Sequence, residues 1–134
     1  LVGVIFNYLI GSSDAHANNI SLLLLRKSPV LAPFYDLLST RIYVHAGVAP
    51  ALAMKISGEN EPVAVQRSHW ETLAEQLGIS GKFLISRVTR LAGKIGEARL
   101  GLFKEDFAVH KCDALYRLNE FIAGNCETTL RRLM

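Results

Sequence analysis

Cysteine, proline and charge are all sparse in this 134-residue chain: two cysteines, four prolines, and only a fifth of the residues charged. The two thiols, Cys112 and Cys126, form no C-x-x-C pair and no Cys/His cluster, which removes a zinc site from consideration. Two buried thiols in a reducing cytosol are the expectation they leave, and the cytoplasm the expected compartment. Long apolar runs are missing as well. The longest, near Ile5-Phe6 and from Leu22 to Leu25, fall far short of the roughly 20 residues a membrane span needs, so no membrane partner is expected. No basic flank precedes the opening apolar segment, so that segment is not expected to be a signal peptide. Lys and Arg never gather into a tract of the kind that binds DNA. Repeats and low-complexity segments are absent too.

Half of the residues are apolar, which suits one globular domain with a sizeable core and argues against disorder. The net charge of +3 is compatible with ATP, an acidic protein or nucleic acid and selects none of them. The chain opens on leucine rather than methionine, directly in an apolar segment. The expectation is a piece of a longer polypeptide.

Leu1 to Ile10 reads as the end of an apolar helix, with Val2, Ile5, Phe6 and Leu9 at helical spacing. Gly11 fits the left-handed position that ends helices. Residues 11 to 19 are small and polar, hence a loop. Ile20 to Leu25 and Val30 to Phe34 are short apolar runs around an Arg26-Lys27-Ser28-Pro29 turn, which predicts a small hairpin. Leu52 to Ile56 suggests a short strand before a turn at Gly58 to Pro62. Helices follow. Ser68 and Glu71 form a candidate capping box for a helix carrying Trp70, Leu73, Ala74 and Leu77, ending at Gly78. Ser80 is a candidate cap for the next, with Leu84, Val88, Leu91 and Ile95 as its stripe. A last helix is expected from about Asp106 to the end, burying Phe107, Leu115, Leu118, Ile122, Leu130 and Leu133. Arg131 and Arg132 suit its negative end. The fold class is therefore mainly α, with a small β hairpin.

The chemistry concentrates in the polar loop and just after the hairpin. Asp14 is followed five places later by Asn19, and Asp36 follows the aromatic pair Phe34-Tyr35. The predicted hairpin returns Asp36 to the loop that holds Asp14 and Asn19. This is the spacing of a kinase-type phosphoryl-transfer site. There an Asp accepts the hydroxyl proton, while an Asn and a later Asp hold Mg²⁺ against the ATP phosphates. Asn19 offers a neutral amide oxygen and Asp36 a carboxylate, both hard ligands that Mg²⁺ accepts. A plainer reading stands beside it. Asp14 and Asn19 can be loop residues that cap turns, and Asp36 the N-cap of a short helix at Leu37-Leu38.

Context separates the two readings. Ile10 to Leu23 (IGSSDAHANNISLL), Leu31 to Thr40 (LAPFYDLLST) and Leu52 to Gly58 (LAMKISG) together resemble the carboxyl-terminal half of the HipA-type serine/threonine kinases. Those are toxins of bacterial toxin–antitoxin pairs. The family pattern G-x-[ST]-D-x-H-x-K-N-x-[ST] is met except at Asn18, where Lys is usual, and P-x-Y-D is met at Pro33 to Asp36. The resemblance runs through the chain and weakens after Leu77.

The resemblance implies a single domain over residues 1–134, the carboxyl-terminal helical lobe of a kinase-like fold, with the hairpin near the metal site. It implies Asp14 as catalytic base, Asn19 and Asp36 as Mg²⁺ ligands, and nucleotide contacts at His16, Ala17, Asn18, Asn19, Tyr35 and Asp36. ATP and Mg²⁺ are the implied cofactors. A protein substrate is implied, with an aminoacyl-tRNA synthetase as a candidate. So is a DNA-binding antitoxin of the HipB type, through which DNA would be met indirectly. Two other classes stay open: a small-molecule phosphotransferase, which His16 permits and Ser12 speaks against, and a non-catalytic helical interaction domain.

His16 has two readings of its own. Its ring can face the γ-phosphate as a donor, or bond to the backbone and orient the loop. His45, His69 and His110 lack ligand spacing and read as surface or helix-face residues, and Trp70 as a core anchor. A kinase also needs a glycine-rich loop over the phosphates and a Lys held by a Glu. Neither precedes Asp14, and Gly93, Gly96 and Gly101 fall in a helical stretch. The implied amino-terminal half is therefore expected to supply these parts, and the chain alone to bind ATP weakly without turning it over.

Overall fold

The computed structural model of the chain describes residues 1–104, 109–110 and 112–134. It is mostly helical, with one two-stranded antiparallel sheet. In order come α1 (Val2–Ile10), β1 (Leu22–Leu24), β2 (Pro29–Leu31), α2 (Arg67–Gln76), α3 (Gly81–Leu102) and α4 (Asp113–Leu133). Single 3₁₀ segments lie at Ala17–Asn19 and Arg41–Ala46. Among the described residues no helix is long and apolar enough to cross a membrane.

α1 ends where its glycine dictates. Gly11 sits at φ 75° and ψ 43°, the left-handed cap. Its N–H donates to Tyr8 O (3.2 Å) and the Ser12 N–H to Asn7 O (2.8 Å). A side chain here meets two obstacles. The φ is unfavourable for L-residues, and a Cβ would lie 2.2 Å from Cε1 of Phe121 on α4. Asn125 of α4 finishes the cap, its Nδ2 donating to Tyr8 O and Leu9 O at 2.9 Å each. The turn that launches the polar loop is thus fixed by its own glycine and by a helix over a hundred residues away.

One core serves all four helices. α1 contributes Ile5, Tyr8 and Leu9, α2 Trp70 and Ala74, α3 Leu84, Val88 and Ala92, and α4 Cys126 and Leu133. Trp70 is 1% exposed and meets Tyr8 edge-on, with ring centroids 5.3 Å apart. It is the core anchor its position on the helix suggested. Leu91, Ile95, Ile122 and Leu130 pack partly buried around this centre. Arg131 and Arg132 occupy the last turn of α4 as expected.

Several local expectations are corrected. Leu52 to Ile56 is not a strand. Leu52 N–H donates to Asn60 O (2.7 Å) and Ala53 N–H to Ser13 O (3.1 Å), so the two successive donors serve different segments and no ladder forms. Leu52 and Ile56 plug the core four residues apart. Ile56 then closes an isolated bridge with Glu59 around Ser57 (φ 50°) and Gly58 (φ 89°). The capping box lies two residues earlier than expected. Gln66, not Ser68, is the N-cap of α2, and its N–H donates to Nδ1 of His69 (3.0 Å). Glu71 instead pairs with Arg67 one turn back, Oε1 to Nε 2.8 Å. Ser80 does stand at the N-cap of α3, without a side-chain cap bond.

The last helix begins at Asp113. The expectations for Asp106 and Phe107 lie outside the described residues. Of the two thiols only Cys126 is buried; Cys112 is exposed at the N-cap of α4, before the helix turns inward. Burial pushes the Cys126 thiol up to about 11, with Arg99 opposing slightly, so it stays protonated and unreactive at neutral pH.

Candidate active site

The polar loop leaves Gly11 through two buried serines. Ser13 is held from the far side by Thr40: Ser13 N–H donates to Thr40 Oγ1 at 2.7 Å, and the two hydroxyls bond at 2.7 Å. The backbone N–H groups of Thr40 and Arg41 both donate to Gly11 O, at 3.1 and 3.0 Å. The segment that follows Asp36 is therefore tied directly to the segment that precedes Asp14. Asp14 itself emerges into solvent, its side chain 64% exposed.

Asn19 joins the three candidate residues. Its Nδ2 donates to the Asp14 carbonyl and to Asp36 Oδ2, both at 3.1 Å. Both amide hydrogens face these partners, leaving Oδ1 free to accept. Asp36 is held at φ 56°, a left-handed conformation that Asp tolerates better than most residues. Residues 37 to 39 have no helical structure, which removes the reading of Asp36 as a helix cap.

The hairpin that returns Asp36 pairs Leu22 with Leu31, Leu23 with Val30 and Leu24 with Pro29. Both of its faces are exposed, so no core holds it. Tyr35 ties its base instead. The Tyr35 hydroxyl donates to Asn18 O (2.8 Å) and accepts from Ser21 Oγ (2.9 Å). Phe34 packs on the face of α1 at Gly3, where a Cβ would come within 2.6 Å of the ring. Gly3 thereby admits the aromatic residue that precedes Tyr35-Asp36.

These elements enclose a cavity of about 230 Å³. Of the residues expected to meet nucleotide, His16, Asn19, Tyr35 and Asp36 line it, while the side chains of Ala17 and Asn18 do not. Asp14 stands outside the lining. The backbone-bonded reading of His16 is not met: its Nδ1 is buried without a hydrogen-bond partner, and its Nε2 lies 3.7 Å from Asp14 Oδ1. Asn7 of α1 also lines the cavity, with a buried Oδ1 that has no partner. Sequence reasoning passed over Asn7. The signal was there, a lone amide in an otherwise apolar helix.

The donor set fits a single hard cation. Asn19 keeps Oδ1 without a hydrogen bond and Asp36 offers a carboxylate, both hard oxygen donors, and among the described residues no group of three or more His, Cys, Asp or Glu gathers to hold a metal by itself. Mg²⁺, which takes one or two protein oxygens and completes its shell with phosphate and water, accepts donors of this kind.

Comparison with known proteins places the chain in a family. The family model of the HipA-like C-terminal domain matches residues 2–99. The chain belongs to that family. A protein of Sinorhizobium fredii named "Putative kinase Y4mE" is 35% identical over 130 residues, covering 95% of this chain and 30% of that protein. The serine/threonine-protein kinase toxin HipA of Shewanella oneidensis is 33% identical over 94 residues, covering 70% of this chain and 21% of that protein. Among solved structures, the complex of HipA, HipB and operator DNA from Shewanella oneidensis MR-1 superposes with a TM-score of 0.86. The identity is 27%, and the match covers 98% of this chain and 31% of that one. The chain thus spans less than a third of the length of these HipA-like relatives. Its helices and two-stranded sheet correspond to the carboxyl-terminal region of HipA.

Proposed function

We propose that this HipA-like domain is the catalytic lobe of a serine/threonine protein kinase, a single unit over residues 1–134. In this reading Asp14 is the base and Asn19 and Asp36 are the Mg²⁺ ligands. The observation that carries the reading is the Asn19 amide, which bonds the Asp14 backbone and the Asp36 carboxylate at once. It sets the base and the metal-facing groups in one register, and phosphoryl transfer depends chiefly on such positioning.

Asp14 would orient an acceptor hydroxyl and take its proton as the oxygen attacks the γ-phosphorus, the bond to the β–γ bridging oxygen breaks and ADP leaves. Its exposure favours an acceptor on a protein, which must approach from outside, over a small molecule held within the cavity. His16, beside Asp14, is placed to donate toward the transferring phosphate. Bound Mg²⁺ would neutralise charge developing on the phosphate oxygens. Asn19 would turn Oδ1 to it, and Asp36 the carboxylate that Asn19 steadies. Tyr35 fixes the Asn18 carbonyl and so the shape of the loop. Ala17 and Asn18 would contribute through the backbone of this turn.

The groups that grip ATP would come from another segment, supplied by a larger kinase. The exposed apolar hairpin, with Leu24 at 86% exposure, supports a surface that another part covers. The HipA toxin of Shewanella oneidensis occurs in complex with HipB and operator DNA, which supports an antitoxin of the HipB type as partner and indirect contact with DNA. An aminoacyl-tRNA synthetase remains the candidate substrate that the family resemblance brings.

The 134-residue chain assayed alone with labelled ATP and Mg²⁺ is expected to show no autophosphorylation and no hydrolysis above background. Turnover at kinase-like rates, abolished by Asp14→Asn, would show that the chain needs no second lobe and overturn that part of the proposal.

A further inference from the structure

A second cavity, of about 320 Å³, opens between Arg41, the Pro62-Val63 segment and α4. Two arginines line it, Arg41 and Arg132. Among the described residues neither makes an ion pair. Arg41 lies over the Phe121 ring, its Cζ 5.2 Å from the centroid, and its side chain makes no hydrogen bond within the described structure. Its Nε is buried without a partner. Arg132 donates one N–H to Pro62 O at 3.3 Å, which anchors it and leaves other donors free. Thr128 adds a hydroxyl from α4.

We propose that this cavity is a binding site for a phosphate-type oxyanion, held between the guanidinium groups of Arg41 and Arg132. Two like charges sharing a partly desolvated cavity repel each other, and an anion between them removes that repulsion. Burial holds the Arg41 pKa below its ordinary value, with Arg132 acting in the same direction, while Tyr8 and Glu61 oppose. Stacking on Phe121 fixes the plane of the Arg41 fork, so less side-chain freedom is lost on binding. Guanidinium donors match a phosphate group in shape and can engage two of its oxygens together. Glu120 also lines the cavity, yet forms no ion pair with either arginine.

The site is separate from the cavity that holds Asn19 and Asp36 and does not rest on the kinase reading. Arg41 links it to the turn that opens that loop. Arg41 N–H donates to Gly11 O, and a Cβ on Gly11 would lie 3.4 Å from the Arg41 Cβ.

Thermal unfolding of the chain with inorganic phosphate, against chloride at equal ionic strength, tests the proposal. A saturable rise in the midpoint is expected with phosphate alone. Arg41→Gln and Arg132→Gln should each weaken the apparent affinity by about tenfold or more, as loss of a charge-assisted pair does. His16→Ala, in the other cavity, should leave it unchanged. Amide shifts on phosphate titration should centre on Arg41, Phe121 and Thr128, a readout that holds even if one variant folds poorly. No saturable response, an affinity in either glutamine variant equal to that of the unsubstituted chain, or shifts centred on His16 would overturn the proposal. Tighter saturation by a hexaglutamate peptide than by phosphate would overturn it in favour of an acidic peptide.

Discussion

Asp14→Asn, placed in the intact kinase that contains this domain, is expected to slow phosphoryl transfer by roughly 10²- to 10⁴-fold, the usual contribution of a positioned general base. Nucleotide affinity should change little. Asp14 stands outside the cavity lining, and Asn19 bonds its backbone carbonyl rather than its carboxylate. The substitution keeps the shape of the side chain and removes its ability to accept the proton. Loss of rate without loss of binding identifies an interaction made only in the transition state. Single-turnover transfer rates and a separate nucleotide titration measure the two quantities. Equal loss in both would mean that Asp14 organises the loop instead.

The second large effect concerns the core. Trp70→Ala is expected to destabilise the fold by about 3–5 kcal/mol, the range for removing a large aromatic from a packed interior. Trp70 is fully buried and lies against Tyr8, whose hydroxyl donates to Pro62 O at 3.2 Å. The cavity left behind would therefore loosen α1 as well as α2. Since Gly11, Ser12 and Ser13 carry α1 directly into the loop of Asp14, the site should lose order with the core. Urea unfolding monitored by circular dichroism gives the stability change. A loss under about 1 kcal/mol would mean that the neighbours collapse into the space.

The elements legible in the sequence were those specified by local chemistry. Gly11 ends α1 because one residue type suits its backbone, and glycine announces that in any context. The hairpin announces itself by two apolar runs around a Ser-Pro turn, and it does return Asp36 to Asn19. Trp70 and the Leu84, Val88 stripe declare a buried face by helical period. Family membership was equally legible, because the three motifs sit in order around the loop.

What stayed hidden depends on partners distant in the chain. Thr40 looks like an ordinary loop residue until Ser13 is seen bonded to it across 27 positions. Asn125 looks like a polar interruption in α4, yet it caps α1. The box at Ser68 and Glu71 satisfied every local rule and lost to one beginning at Gln66. Val65, buried just ahead, fixes where the chain enters the helix, and Arg67 captures Glu71. Leu52 to Ile56 had the apolar content of a strand, but its backbone donors were claimed by Ser13 and Asn60 from two sides. The His16 ring could not be oriented from sequence, since the folded loop alone brings its Nε2 to 3.7 Å from Asp14 Oδ1.

The central claim is that Asn19 and Asp36 seat a metal–nucleotide pair beside Asp14. The measurement closest to it is paramagnetic broadening of isotope-labelled amide signals by Mn²⁺, with a non-hydrolysable ATP analogue bound to the intact kinase. Broadening is expected to be strongest at Asn19 and Asp36, to reach His16, and to disappear in Asp36→Asn. Broadening centred on any other part of this domain, or undiminished in Asp36→Asn, would contradict the account.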